Sequence, residues 1–190
     1  SSPTPLDVWT PSDSFIKPQI ADQVAVGYFR NFKDDEYSLE VESFYKTIKN
    51  RLDYIDGANL IANEAIEQVI LNGRMRSYGL EVMFRKNEGK LTGWISYTLS
   101  KSQQQTPGRN ASELGINNGE WYNSLYDKTH NIAITSAYTL NKKWSFGANF
   151  ALQTGQPVTY PNGQYEYPET ITVPSYGLRN ENRLPIYHHL

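Results

Sequence analysis

Ser77-Tyr78-Gly79-Leu80-Glu81-Val82-Met83-Phe84-Arg85 governs how the rest of the chain is read. Tyr78, Leu80, Val82 and Phe84 fall on one face of an extended strand, and Ser77, Gly79, Glu81, Met83 and Arg85 fall on the other, because successive side chains alternate. One face is oily and the other largely polar. Asn87-Glu88-Gly89-Lys90 then reads as a tight turn, after which Leu91, Ile95, Tyr97 and Leu99 oppose Thr92, Ser96, Thr98 and Ser100, with Trp94 alone on the polar side.

The same rhythm recurs on both sides of this hairpin. Upstream, Val24, Val26 and Tyr28 oppose Gln23, Ala25, Gly27 and Asn31, with Phe29 an exception. Tyr37, Leu39, Val41 and Tyr45 oppose Ser38, Glu40, Glu42 and Lys46, with exceptions at Ser43 and Phe44. Downstream, Ile132, Ile134, Tyr138 and Leu140 oppose Asn131, Thr135 and Thr139; Trp144, Phe146, Ala148, Phe150 and Leu152 oppose Ser145, Gly147, Asn149 and Gln153. A further strand is expected from near Arg183. Each segment is about ten residues long, the length a tilted strand needs to cross a bilayer.

The connections alternate in length. Lys33-Asp34-Asp35-Glu36, Asn87-Glu88-Gly89-Lys90 and Asn141-Lys142-Lys143 are short, whereas Asn50 to Arg76, Lys101 to Lys128 and Gly155 to Asn182 far exceed hairpin loops. In an antiparallel meander all the long stretches lie at one edge, the asymmetry of outer-membrane barrels. A soluble β-sandwich also alternates, but its loops are seldom long on one edge only. Within Ala58 to Ile70, the spacing of Ile61, Ala65 and Val69, with Ala62 and Ile66 beside them, suits a short loop helix; a loop hairpin is the alternative.

Composition agrees with strands between lipid and water. Only 38% of the 190 residues are hydrophobic, yet there are 14 Tyr against 7 Phe and 4 Trp, a bias toward rings with a polar tip. Phe32, Tyr37, Tyr54, Trp121, Tyr122 and Trp144 sit near turns or loop mouths, where interface girdles are expected. A net charge of -2 gives no basic field for nucleic acid. The absence of cysteine removes disulfides, thiol nucleophiles and thiolate metal sites. No run approaches the roughly 18 apolar residues of a membrane helix.

At the level of ordered motifs, the chain resembles the C-terminal barrel of TonB-dependent receptors that carry an N-terminal carboxypeptidase-regulatory-like domain. The resemblance rests on Ser77-Tyr78-Gly79-Leu80-Glu81, Lys90 through Ser100, Asn118-Gly119-Glu120-Trp121-Tyr122, Tyr126-Asp127-Lys128-Thr129-His130, Thr154 through Pro161, and Arg179-Asn180 through Arg183-Leu184-Pro185-Ile186-Tyr187. It spans about Pro11 to Leu190. Members differ at Tyr187-His188-His189-Leu190, where they carry Arg near the second histidine position, followed by Asp.

The fold class implied is all-β: an antiparallel transmembrane β-barrel segment of about seven strands from an expected 22-stranded, plugged barrel. Residues 1–190 then read as a partial barrel domain of a longer protein, from the later middle of the barrel. The resemblance implies active import across the bacterial outer membrane, with the N-terminal plug, the TonB energy-transducing complex, outer-membrane lipid and a surface lipoprotein as expected partners. A surface adhesin or soluble β-sandwich binding module is the alternative. A passive porin is a third reading.

Glu40, Glu42, Lys46, Glu81 and Arg85 are expected to face the lumen, paired across strands or with the plug. Trp121, Tyr122, Tyr126, Tyr160, Tyr165 and Tyr167 are the loop candidates for ligand contact, since rings stack on sugars or peptides while hydroxyls hydrogen-bond. Asp127 and His130 are expected to lock a loop mouth. Adjacent His188 and His189 point to opposite faces and so cannot easily share a metal. No nucleophile elbow, P-loop or zinc-peptidase motif occurs, so no catalytic residue, cofactor or metal is expected.

Overall fold

The computed structural model describes residues 12, 16–58, 66–167 and 171–190. In chain order its strands are β1 (Ile20–Phe32), β2 (Tyr37–Tyr54), β3 (Ile70–Lys86), β4 (Leu91–Gln105), β5 (Tyr122–Asn123), β6 (His130–Asn141), β7 (Trp144–Gln153), β8 (Pro157–Val158), β9 (Pro161–Tyr167), β10 (Ile171–Tyr176), β11 (Asn182–Arg183) and β12 (Tyr187–His189). One antiparallel sheet runs β1-β2-β3-β4-β6-β7-β12, with β5 paired to β4, while β9 with β10 and β8 with β11 form two small ribbons. The six alternating segments are six adjacent strands.

Register carries the alternation across the whole sheet. Tyr28, Val41, Val82, Tyr97, Ile132 and Leu152 are successive cross-strand partners, and beside them run Leu39, Phe84, Ile95, Ile134 and Phe150. These rows make one continuous apolar face. Val24 and Val26 on it are 70% and 73% exposed, an exposure that lipid rather than water makes favourable. On the reverse face Gly27, Glu42, Glu81, Thr98, Asn131 and Gln153 form the matching polar row.

Two glycines sit where neighbouring strands crowd in, and Gly79 makes room for a bulky ring on the polar face. A Cβ at Gly79 would lie 3.0 Å from the ring of Phe44, its cross-strand partner. Gly93 has φ 148, and a Cβ there would collide with the Thr135 carbonyl. Glycine at these positions allows the backbones and rings of neighbouring strands to come close.

The short turns are closed by local polar chemistry. Asn31 donates to Asp35 (2.7 Å), the Asn141 side chain accepts from the amides of Lys143 (2.9 Å) and Trp144 (3.1 Å), and Lys86 pairs with Glu36 at 2.5 Å. Asp34 and Asp35 adopt positive φ, a conformation acidic side chains tolerate better than most.

At the opposite end the strands run past their alternating segments. β2 extends to Tyr54 and β3 begins at Ile70, so the connection between them is shorter than the polarity of Asn50 to Arg76 suggests. The ladder continues because backbone pairing needs no oily face, only a partner; a bulge after Lys49, with Asn50 at φ 56, absorbs the shift in register. Of the stretch Ala58 to Ile70, residues 59–65 lie outside the described residues, and Ile66–Gln68 forms one 3-10 turn. The final strand pairs at Tyr187–His189 rather than from Arg183, since Pro185 offers no amide donor and Arg183 joins the ribbon with β8.

Candidate functional site

Among the described residues the buried apolar side chains all lie toward the long-loop end: Ile16 with Ile70, and Leu71 with Ile116 and Tyr122. Around them three connections are tied together. The Tyr122 hydroxyl donates to Asp53 (2.8 Å), and the Gln104 amide donates to the same carboxylate oxygen (2.8 Å). Arg179, from the connection after β10, donates to the other Asp53 oxygen (2.8 Å), to the Tyr54 carbonyl (2.9 Å) and to Asp56. Asn117 exchanges two hydrogen bonds with the Arg179 backbone, at 2.8 and 3.0 Å. The loops between β2 and β3, β4 and β6, and β7 and β12 are thereby latched.

A second node centres on Asp127, whose side chain is fully buried. It accepts from the Ser102 amide (2.6 Å), from Lys101 (3.4 Å) and from Arg183, which also donates to the Asp127 carbonyl (3.0 Å). Two cations and an amide thus compensate a carboxylate that burial alone would penalise. His130 meets the Tyr97 hydroxyl at 2.9 Å instead of Asp127, so the two residues tie the loop mouth to β4 at separate points along it.

Burial and the neighbouring Asp53 carboxylate push the Tyr122 phenol up to about 12. It stays protonated and donating at any ordinary pH. Farther out on the loop, hydrogen bonds from Arg109 hold the Glu113 carboxyl down at about 2.

The six loop aromatics are placed in four ways. Tyr122 is 5% exposed and committed to Asp53, Gln104 and Thr106 through its hydroxyl. Trp121 stacks under the guanidinium groups of Arg76 and Arg74, 4.1 and 5.4 Å from its ring centre. Tyr126, Tyr160 and Tyr165 are exposed, and Tyr167 ends β9. No stack or hydrogen bond joins any two of them among the described residues.

Glu40, Glu42, Lys46, Glu81 and Arg85 all take the polar face by register. Glu42 lies directly opposite Glu81, a like-charged arrangement that disfavours cross-strand pairing. None of the five forms an ion pair among the described residues. His188 and His189 pair with Leu152 and Ala151, on opposite faces. Among the described residues no three His, Asp or Glu side chains gather as a metal site.

The residues that organise this end, Asp53, Arg179, Asn117 and Arg183, carry no local signal. Asp53 and Arg179 are 126 positions apart.

A strand meander with one continuous uncovered apolar face, a polar reverse, tight turns at one end and latched loops at the other is the wall of a membrane-type β-barrel. The chain belongs to the family "TonB dependent receptor-like, beta-barrel", whose model matches residues 3–180. This is a family of outer-membrane transporters. No curated protein and no solved structure matches the chain.

Proposed function

We propose that this chain forms part of the barrel wall and external loops of a TonB-dependent importer in the bacterial outer membrane. The single observation that carries the reading is the unbroken apolar face over six strands, joined at one end only to long, mutually latched connections. The edges of β1 and β12 need further strands to close the wall, because unpaired backbone groups are costly in hydrocarbon. A plug then fills the lumen, and the wet carboxylates Glu40, Glu42 and Glu81 are suited to contact it. The wall does no bond-making.

Ligand is met first by the loops. Tyr126, Tyr160 and Tyr165 offer free aromatic surface, Trp121, Tyr122 and Tyr167 stand on the same connections, and a surface lipoprotein could close over them. The test is nutrient depletion from defined medium by cells with the intact gene, cells lacking it and cells lacking TonB. Import predicts a solute whose depletion is lost in both mutants. Depletion that survives loss of TonB points to a passive pore, and no difference in any solute, with the protein present at the surface, leaves the adhesin.

A further inference from the structure

We propose that Lys101 and Asn123 join covalently, through an amide bond from Nζ to Cγ, in a reaction assisted by Asp127. The Lys101 amino group donates to the Asn123 side-chain oxygen at 2.7 Å and to the Asp127 carboxylate at 3.4 Å. Because Oδ1 is bonded to Cγ, Nζ stands one atom from the carbon it attacks. A nucleophile, a carboxamide and a fully buried carboxylate able to carry a proton therefore meet at one point.

The backbone holds these three side chains together. Asn123 lies in β5 opposite Gln103 of β4, and so diagonally across from Lys101. Beyond it the chain arches off β4 and returns, with the Ser124 amide donating to the Ser102 carbonyl and the Ser100 amide to the Thr129 carbonyl, both at 3.0 Å. Asp127 points back into the arch, tied by the Ser102 amide and by Arg183. From the other side Asn180, itself 2% exposed, donates to the Asn123 carbonyl at 2.8 Å. Groups fixed in this way need no collision to meet, which is the advantage of an intramolecular reaction. Arginine keeps its protons, so Arg183 anchors Asp127, and Lys101, held less closely, is the contact through which a proton moves.

A proton passes from Lys101 to Asp127 and frees the Nζ lone pair to attack Cγ of Asn123. As the Nζ–Cγ bond forms and the Cγ–Nδ2 bond breaks, Nζ releases a second proton and Asp127 returns the first. The side-chain nitrogen leaves as ammonium, and Asp127 is a carboxylate again. No oxidant, reductant or further reactant is consumed. This bond is made once, within the chain, and cargo is untouched. It closes the connection between β4 and β5 into a ring across 22 positions and fixes a ladder only two residues long. In a chain without cysteine it restricts the unfolded state as a disulfide does.

The experiment digests the full-length protein, purified from its own cells and unfolded in denaturant, with trypsin, and reads the peptides by tandem mass spectrometry. Free side chains give three separate peptides, 91–101, 102–109 and 110–128. A bonded lysine is not cleaved, so the expected species is 91–109 joined to 110–128 through Lys101 and Asn123, lighter than their sum by one ammonia. Recovery chiefly of peptide 91–101 overturns the bond, whether Asn123 is intact or has been deamidated by water in place of the lysine. The joined species should be lost in Lys101→Arg and, in samples timed after synthesis, form about 100-fold more slowly in Asp127→Asn. An undiminished rate in Asp127→Asn overturns the part given to that residue. The measurement on the native protein needs no variant, so misfolding of a variant does not shield the proposal. It is also independent of transport: a joined peptide in cells that deplete no solute removes the import reading alone, and separate peptides in cells that do deplete one remove this bond alone.

Discussion

Between Tyr78 and Phe84 the chain turns its large side chains outward and leaves them uncovered, whereas between Ile70 and Tyr122 it buries Leu71, Ile116 and a phenol around an ion-paired latch. The first region has no protein core of its own and depends on the solvent it faces. The second carries its core and counter-charges with it. One chain thus holds two kinds of stability, one supplied by lipid and the other by specific partners, and each should fail under a different insult.

The largest separation of the two is expected from Asp127→Ala. Removing the carboxylate takes the counter-charge from Arg183 and Lys101 and the acceptor from the Ser102 amide, at a cost of about 3–5 kcal/mol. Hydrogen exchange on the full-length protein should quicken in residues 101–129 and 155–183 and stay unchanged from Tyr78 to Phe84. Uniform quickening would show that the two regions are one cooperative unit.

Leu80→Arg attacks the other region. A cation near the midplane of the lipid face costs about 2–4 kcal/mol. A reduced yield of heat-modifiable barrel is expected, whereas Glu81→Arg, one residue along but on the polar face, should assemble far better. Equal damage from both would mean that the faces are not distinguished by lipid.

Tyr122→Phe is a smaller probe. It removes one of the donors to Asp53 and should cost about 1–3 kcal/mol, confined to the latch and read as faster protease cleavage of the three connections. The smallest effect is with pH. Because the folded phenol titrates near 12 rather than near 10, its contribution is intact below about pH 10 and is lost as pH rises from 10 toward 12. Spectroscopic titration of tyrosinate should show one late-ionising phenol, absent from Tyr122→Phe.

How far the sequence could be read divides along the same line. Tyr78, Leu80, Val82 and Phe84 announce their strand because lipid on one side and water on the other impose a period of two, and six strands are found where that period occurs. Where both faces meet water, as at Lys49, Arg51 and Asp53 or Asn72 and Arg74, the period vanishes although the ladder continues. Strand ends were therefore legible only to the edge of the apolar face. The latch was less legible still: Asp53 is one carboxylate among many until Arg179 reaches it across the fold. Trp121 was legible as an interface aromatic, yet the arginines beneath it come from a stretch that reads as loop.

The overlong strands set the height of the loop platform. β2 has 18 residues and so a contour of about 60 Å, which at a tilt near 40° rises about 45 Å, against an apolar band about 25 Å tall. Even with the turn end reaching past the band, the ribbon of β2 and β3 works as a stiff mast. Whatever binds at the loops is therefore met beyond the apolar band, on connections held out by paired backbone.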